Sequence, residues 1–249
     1  MTEIVPEISV QDASVRFGDL HVLGPVSFTV EAGQCLVLLG PSGCGKSTLL
    51  TALAGLQTLS AGRANLKDRQ TKPGLVFQDP NLMPWATARD NVGLPLALAG
   101  MPKNDRNAQA HQALVRVGLG EFAHAKPKEL SGGMAMRTAL ARALVSNPTT
   151  LLLDEPFAAI DELGRRALND LVHEAQHQQG LAVVFVTHSV EEAVYMADTI
   201  IVLSPRPGTI VATIEVPKTQ RNSDFLVTSL FSQTVADVRR ALRLGAISS

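Results

Sequence analysis

Cysteine is nearly absent: Cys35 and Cys44 are the only two in 249 residues. One falls in an apolar run and the other in a glycine-rich loop, so no disulfide framework is expected and a reducing cytosol is the default setting. Positive charge is sparse and scattered. Lys and Arg together number 22 against 23 Asp and Glu, and no run of them builds a basic stripe, which argues against DNA or RNA as the main partner. No apolar stretch approaches about 18 residues, so nothing is expected to span a bilayer, and work at a membrane would need another subunit to hold the protein there. Met1 to Val10 carries Glu3 and Glu7 and has no signal-peptide core. Internal repeats and low-complexity tracts are missing, as is the N-K-x-D motif by which guanine-nucleotide switches read their base. What remains is a chain with a hydrophobic fraction of 45%, long enough for one large domain or a domain with a satellite.

The stretch Gly40-Pro41-Ser42-Gly43-Cys44-Gly45-Lys46-Ser47-Thr48 fits G-x-x-x-x-G-K-[ST]. It follows the apolar run Cys35 to Leu39, read as a buried strand, and Leu49 to Leu53 continues in a helical pattern. A triphosphate needs donors from every side. Gly43 and Gly45 lack a Cβ and let backbone N–H groups converge on phosphate oxygens, and the positive end of the next helix adds to that field. Lys46 is placed to reach the β- and γ-phosphates, and the Ser47 hydroxyl to take a Mg²⁺ position.

Around this loop the pattern alternates strands and helices. Ile8 to Phe17 and Val26 to Val30 alternate apolar and polar residues, as antiparallel strands do. A short strand is expected near Arg63 to Leu66, and another over Gly74 to Phe77, ending at Gln78. Asp79 to Pro102 reads as loop-rich, with Pro80, Pro84, Pro95 and Pro102. Helical periodicity returns from Asp105 to Leu119 and from Ser131 to Leu144, which Asn147-Pro148 ends. Thr150 to Leu153 is a buried strand, and Asp161 caps a helix to about Gln179. Leu181 to Val186 is the most apolar strand, Ser189 to Glu192 has capping-box spacing, and Ile200 to Leu203 is the last strand of the core. Such alternation predicts an α/β fold with a mostly parallel sheet covered on both faces.

Leu151-Leu152-Leu153-Asp154-Glu155 ends an apolar strand in two carboxylates, a costly placement unless they serve a cation. Asp154 is read as a Mg²⁺ residue and Glu155 as the group that orients and polarises an attacking water. His188 and Gln78 also end expected strands, where ligands of open α/β sheets sit.

The order Gly40–Thr48, Gln78, Leu130-Ser131-Gly132-Gly133, Leu151–Glu155, Asp161 and His188 resembles the ATP-binding cassette (ABC) transporter ATPases. The resemblance covers Ile8 to about Ile214, and Leu130 to Leu144 looks like that family's signature motif and its helix. It implies a P-loop NTPase with a mostly parallel core sheet, an N-terminal antiparallel β subdomain and an inserted α-helical subdomain. One domain over 1–249 is implied: about 1–80 and 148–215 as nucleotide-binding core, about 81–147 as helical subdomain, and about 219–249 as a C-terminal helical appendage. It also implies roles. Phe17 would stack on adenine; Gln78 would link Mg²⁺ and water to a membrane subunit; Ser131, Gly132 and Gly133 would contact the γ-phosphate of ATP held by a second copy; Asp161 matches the D-loop and His188 the switch histidine. The family usually has Gln where Met134 stands and Leu where Ile160 stands, so no nucleotide contact is assigned to Met134.

Met83-Pro84-Trp85-Ala86-Thr87 and Ser204-Pro205-Arg206-Pro207-Gly208 look like the nitrate, sulfonate and taurine import branch. The implied protein is the ATP-hydrolysing subunit of an importer, with ATP and Mg²⁺. It would act as a sandwich dimer on the cytoplasmic face of the inner membrane, with separate permease subunits and a periplasmic or extracellular solute-binding protein. Trp85, the only tryptophan, is read either as an exposed interface anchor or as a packing residue of its loop. Two other readings compete. His173-Glu174-Ala175-Gln176-His177 matches the H-E-x-x-H zinc-protease helix, but no third ligand is evident and Leu163, Leu168, Leu171, Val172 and Ala175 form an apolar face, so a solvated polar face is expected. A DNA-acting ATPase with the same signature would carry coiled coils or zinc modules in the middle of the chain, and no heptads or paired cysteines occur there.

Overall fold

The computed structural model of the chain describes residues 5–67, 72–158, 160–217, 219, 221–222 and 224–247. In chain order its elements are β1 (Ile8–Phe17), β2 (Leu20–Val30), β3 (Cys35–Leu39), α1 (Lys46–Leu53), β4 (Ala61–Leu66), β5 (Gly74–Val76), α2 (Ala88–Leu98) and α3 (Lys103–Arg116), followed by α4 (Gly132–Leu144), β6 (Thr150–Asp154), α5 (Glu162–Gln179), β7 (Ala182–Thr187), α6 (Val190–Met196), β8 (Thr199–Leu203), β9 (Ile210–Glu215) and α7 (Ser229–Ile247).

Two sheets result. β2, β1 and β4 form an antiparallel sheet, and β5-β6-β7-β3-β8-β9 form a second one that is parallel except for β9. Every residue of β3 and β7 is buried, as expected for strands covered on both faces. One large apolar cluster joins Val37, Leu39, Leu153, Val183 and Phe185 to α4, α5 and α7; a second joins Leu36, Leu38 and Val186 to α1 and the antiparallel sheet. A third is built largely by α2, α3 and α4. The register aligns Leu39 with Thr187, Asp154 with Val186 and Val76 with Leu153, so the carboxyl ends of β5, β6, β7 and β3 form one adjacent row.

The proline-rich stretch read as loop-rich, with no helix assigned to it, contains α2, with Pro95 inside it. Thr87 caps it, accepting from the Asp90 N–H. An interior proline costs about 3 kcal/mol, while burying side chains such as Val92 and Leu96 returns about 1.5–3 kcal/mol each. Packing against α3 and α4 therefore outweighs the local breaker.

Other differences have similar causes. β8 is followed by β9, so Ile200 to Leu203 is not the last strand. Phe225, Phe231, Val235, Val238 and Ala241 belong to the largest apolar cluster, so the C-terminal helical segment packs on the core; residues 220, 223 and 248–249 of that segment lie outside the described residues. Only half of the expected capping box forms at α6: Ser189 accepts from the Glu192 N–H, but the Glu192 carboxylate binds the Thr187 hydroxyl.

Candidate functional site

Gly45 precedes α1 with φ +99°, a conformation open to glycine, and a Cβ there would press on Leu23. Gly45 and the first residues of α1, Lys46, Ser47 and Thr48, line one cleft. Lys46 opens that helix with only 4% exposure, and its Nζ donates to the carbonyls of Gly40 at 2.8 Å and Pro41 at 2.9 Å. Two carbonyls thus hold the ammonium group inside the loop. Burial pushes the Cys44 thiol up, and Lys46 partly offsets this; Cys35 and Cys44 are both free.

A cleft of about 460 Å³ lies over this loop, lined by Val22, Ser42, Gly43, Gly45, Lys46, Ser47, Thr48, Gln78, Asp154, Glu155 and Arg206. It gathers residues from four strand ends. Ser47 Oγ donates to Asp154 Oδ1 at 2.8 Å. Burial raises the Asp154 carboxyl above the ordinary range and the Ser47 bond offsets part of this, so the carboxylate stands where a cation would relieve it. A hydroxyl, a carboxylate and the Gln78 amide around one cleft are hard oxygen donors, the set that suits Mg²⁺.

Glu155 adopts φ +44°, which costs a residue with a Cβ about 1–2 kcal/mol. Its N–H donates to the Val186 carbonyl at 2.9 Å, fixing the turn, and its Oε2 lies 3.0 Å from His188 Nδ1. A carboxylate facing the cleft with a histidine behind it has the geometry to hold a water by the phosphate loop.

Phe17 ends β1 at 50% exposure, an accessible ring outside the lining of this cleft. Ser131 caps α4, its Oγ accepting from the Met134 N–H at 3.2 Å, and Ser131 and Gly132 are exposed; a Cβ on Gly132 or Gly133 would meet open space. Asp161 caps α5 and accepts from the Gly164 N–H. Within one chain, then, the signature segment and Asp161 do not join the cleft lining. Arg142 of α4 donates to the carbonyls of Asn81 and Pro80, both at 2.8 Å, tying the signature helix to the segment after Gln78.

Sequence reading assigned no site role to Val22 or Arg206. Val22 has no local signal. Arg206 had one, a lone arginine between two prolines just past a strand end.

The H-E-x-x-H match dissolves in three dimensions. His173 is buried, not on a solvated face, and its Nε2 lies 3.2 Å from the Tyr195 carbonyl, which only accepts, so that nitrogen carries the proton. His177 is exposed, and no group of three or more metal-ligating side chains occurs among the described residues. Leu168, Val172 and Ala175 are buried as expected; the side chain of Leu163 lies outside the described residues. Purified protein should contain no stoichiometric zinc by atomic absorption, and replacing His177 with Ala should leave ATP turnover within about twofold, as for other exposed substitutions. A zinc atom per chain lost with His177→Ala would restore the protease reading.

A family model described as "ABC transporter" matches residues 23–158. The taurine import ATP-binding protein TauB of Rhizobium johnstonii is 44% identical over 224 residues, covering 86% of this chain and 86% of that protein. The aliphatic sulfonates import ATP-binding protein SsuB 1 of Pseudomonas syringae pv. syringae is 40% identical over 245 residues, covering 97% and 99%. Among solved structures, the dimeric ATP-binding cassette MJ0796 in a post-hydrolysis state with ADP and Pi superposes with a TM-score of 0.76 at 29% identity, covering 85% of this chain and all of that one.

Proposed function

The chain belongs to the ABC transporter family, and from that premise we propose that it powers the uptake of a small anionic solute of the taurine or sulfonate type through a separate membrane permease. It is an ATP-binding protein and an ATPase. The observation that carries the reading is the single cleft in which the phosphate loop, Gln78, Asp154 and Glu155 meet, on a chain similar along nearly all its length to sulfonate import ATP-binding proteins.

In this reading the loop amides of Gly43 to Thr48 and the N-terminus of α1 hold the phosphates, Lys46 turns its ammonium from loop carbonyls to phosphate oxygens, and Phe17 packs on adenine. Ser47, Asp154 and Gln78 would hold Mg²⁺, which when bound neutralises charge on the phosphates. Glu155 orients the attacking water, and His188 fixes that carboxylate through the 3.0 Å bond. Ser131, Gly132 and Gly133 present amides and a hydroxyl to the phosphate held by a second copy, and Asp161 lies at the same dimer face. Residues 1–249 act as one ATPase domain: about 1–80 and 148–215 hold the nucleotide, about 81–147 carry the second copy's phosphate contacts, and the terminal helix from about 219 buttresses the core.

No helix among the described residues is long and apolar enough to cross a membrane, which fits peripheral attachment through permease subunits on the cytoplasmic face, with a solute-binding protein on the other side. Trp85 is 74% exposed, and its loop is pinned from inside by buried Asn91, which accepts from the Met83 N–H and donates to the carbonyls of Met83, Ala86 and Thr87. An exposed indole on a pinned loop suits an anchor. Trp85→Ala should weaken co-sedimentation with the permease at least about tenfold, as loss of a hot-spot aromatic does. Unchanged sedimentation would make Trp85 a loop residue only.

The test of function is ATP turnover by the permease complex in nanodiscs. Turnover should rise with solute-loaded binding protein, taurine or an alkanesulfonate being the solute, and stay basal with duplex DNA. Stimulation by DNA and not by solute would replace the transport reading with the DNA-acting one.

A further inference from the structure

The loop between β8 and β9 reaches the phosphate loop from outside. Ser204 ties its two ends together: its N–H donates to the Thr209 carbonyl at 2.9 Å, and its Oγ accepts from the Thr209 N–H at 3.0 Å. Gly208 stitches it to β2, donating to the Val22 carbonyl and accepting from the Gly24 N–H. It also lies so close to the phosphate loop that a Cβ there would come within 2.0 Å of the Cys44 carbonyl oxygen. Pro205 and Pro207 restrict the backbone on either side of Arg206.

The tip is therefore preorganised, and it points at the cleft. Arg206 Nε donates to the Gly43 carbonyl at 3.1 Å, and the residue lines the cleft beside Ser42, Lys46 and Ser47. Among the described residues its two terminal nitrogens have no hydrogen-bond partner, and no carboxylate pairs with it. An anchored guanidinium with its fork unoccupied, at the rim of an anion cradle, matches the geometry by which arginine binds phosphate oxygens. The cleft also has a need for it: Asp154 and Glu155 oppose the single charge of Lys46 before any phosphate enters.

We propose that Arg206 is a nucleotide-binding residue whose terminal nitrogens contact non-bridging oxygens of the polyphosphate held by the loop Gly43–Thr48. The proposal rests on the reading of that loop as the ATP site. Because the contact is made equally to bound substrate and to the reacting complex, its loss appears in KM and not in kcat.

Three variants separate charge from scaffolding. Arg206→Ala removes both the charge and the bond to Gly43. Arg206→Gln retains neutral N–H donors for the Gly43 carbonyl, and Arg206→Lys retains the charge. Titration calorimetry with ADP, and turnover with ATP, should show Ala and Gln binding about tenfold more weakly with KM raised to match, and Lys within about threefold of the parent protein. Affinity of the Ala and Gln variants should also fall less steeply with salt. Unchanged affinity in Arg206→Ala, or rescue by Gln as complete as by Lys, would overturn the proposal and leave Arg206 a strut for the loop. Absence of ADP binding by the parent protein would instead overturn the nucleotide-site reading beneath it.

Discussion

Glu155→Gln should cut steady-state ATP hydrolysis by about 10²–10⁴-fold, the range for losing a positioned general base, while leaving ATP bound. The substitution preserves shape and removes charge. The strained turn at φ +44° is set by the backbone bond to Val186, which the amide does not disturb, so the fold should hold. On the proposed reading the nucleotide is held by Phe17, Lys46, Ser47, Asp154, Arg206 and the loop amides, none of which the substitution touches, and one negative charge beside the γ-phosphate is gone. A pair that binds ATP and does not turn it over stays closed. Glu155→Gln protein should therefore shift from monomer to dimer with Mg-ATP in size-exclusion chromatography with light scattering. Adding Ser131→Arg should abolish the shift, because the exposed cap of α4 would then carry a bulky side chain where the partner's phosphate must approach. Brisk turnover by Glu155→Gln would remove the catalytic assignment. A dimer indifferent to Ser131→Arg would remove the sandwich, whatever the fate of the first result.

Lys46→Ala should lower ATP hydrolysis by at least about 10²-fold and weaken ATP binding with it, since on the proposed reading its charge-assisted bonds to phosphate are lost. The structure also says what the fold loses. Lys46 Nζ ties the loop to itself through Gly40 and Pro41, and both carbonyls would lose that donor. Pro41 is exposed and Gly40 is buried, so a modest destabilisation of about 1–2 kcal/mol is expected, short of unfolding. Circular dichroism should be unchanged and the melting temperature a few degrees lower. Near-normal turnover by a folded Lys46→Ala protein would sink the central assignment.

The misses in reading the chain share one cause. Pro95 sits inside α2 because packing of α2 against its neighbours overrides a local breaker, and β9 follows β8 because a sheet edge was available to pair with it. His173 looked like a surface residue by helical spacing, yet α6 and Tyr195 cover it. The Glu192 carboxylate found the Thr187 hydroxyl in preference to its own helix terminus. Packing from distant elements won at Pro95 and His173, and a neighbouring partner won at β9 and at Glu192, whose hydroxyl partner is 5 residues away; each offered more than the local preference.

The phosphate loop and the signature cap were determined by sequence alone, because their determinants are consecutive: in the loop, Gly43 and Gly45 at positive φ with Lys46 and Ser47 opening the helix at once behind them, and at the cap, Ser131 immediately before α4. The pairing of Asp154 with Ser47, of Glu155 with His188, and the approach of Arg206 to Gly43 were decided only by tertiary structure. Those partners lie far apart along the chain and meet because β5, β6, β7 and β3 are parallel neighbours in matched register, with β8 beyond them delivering the arginine loop to the same end. Strand order follows from which apolar faces bury one another, a non-local quantity that no window of sequence contains.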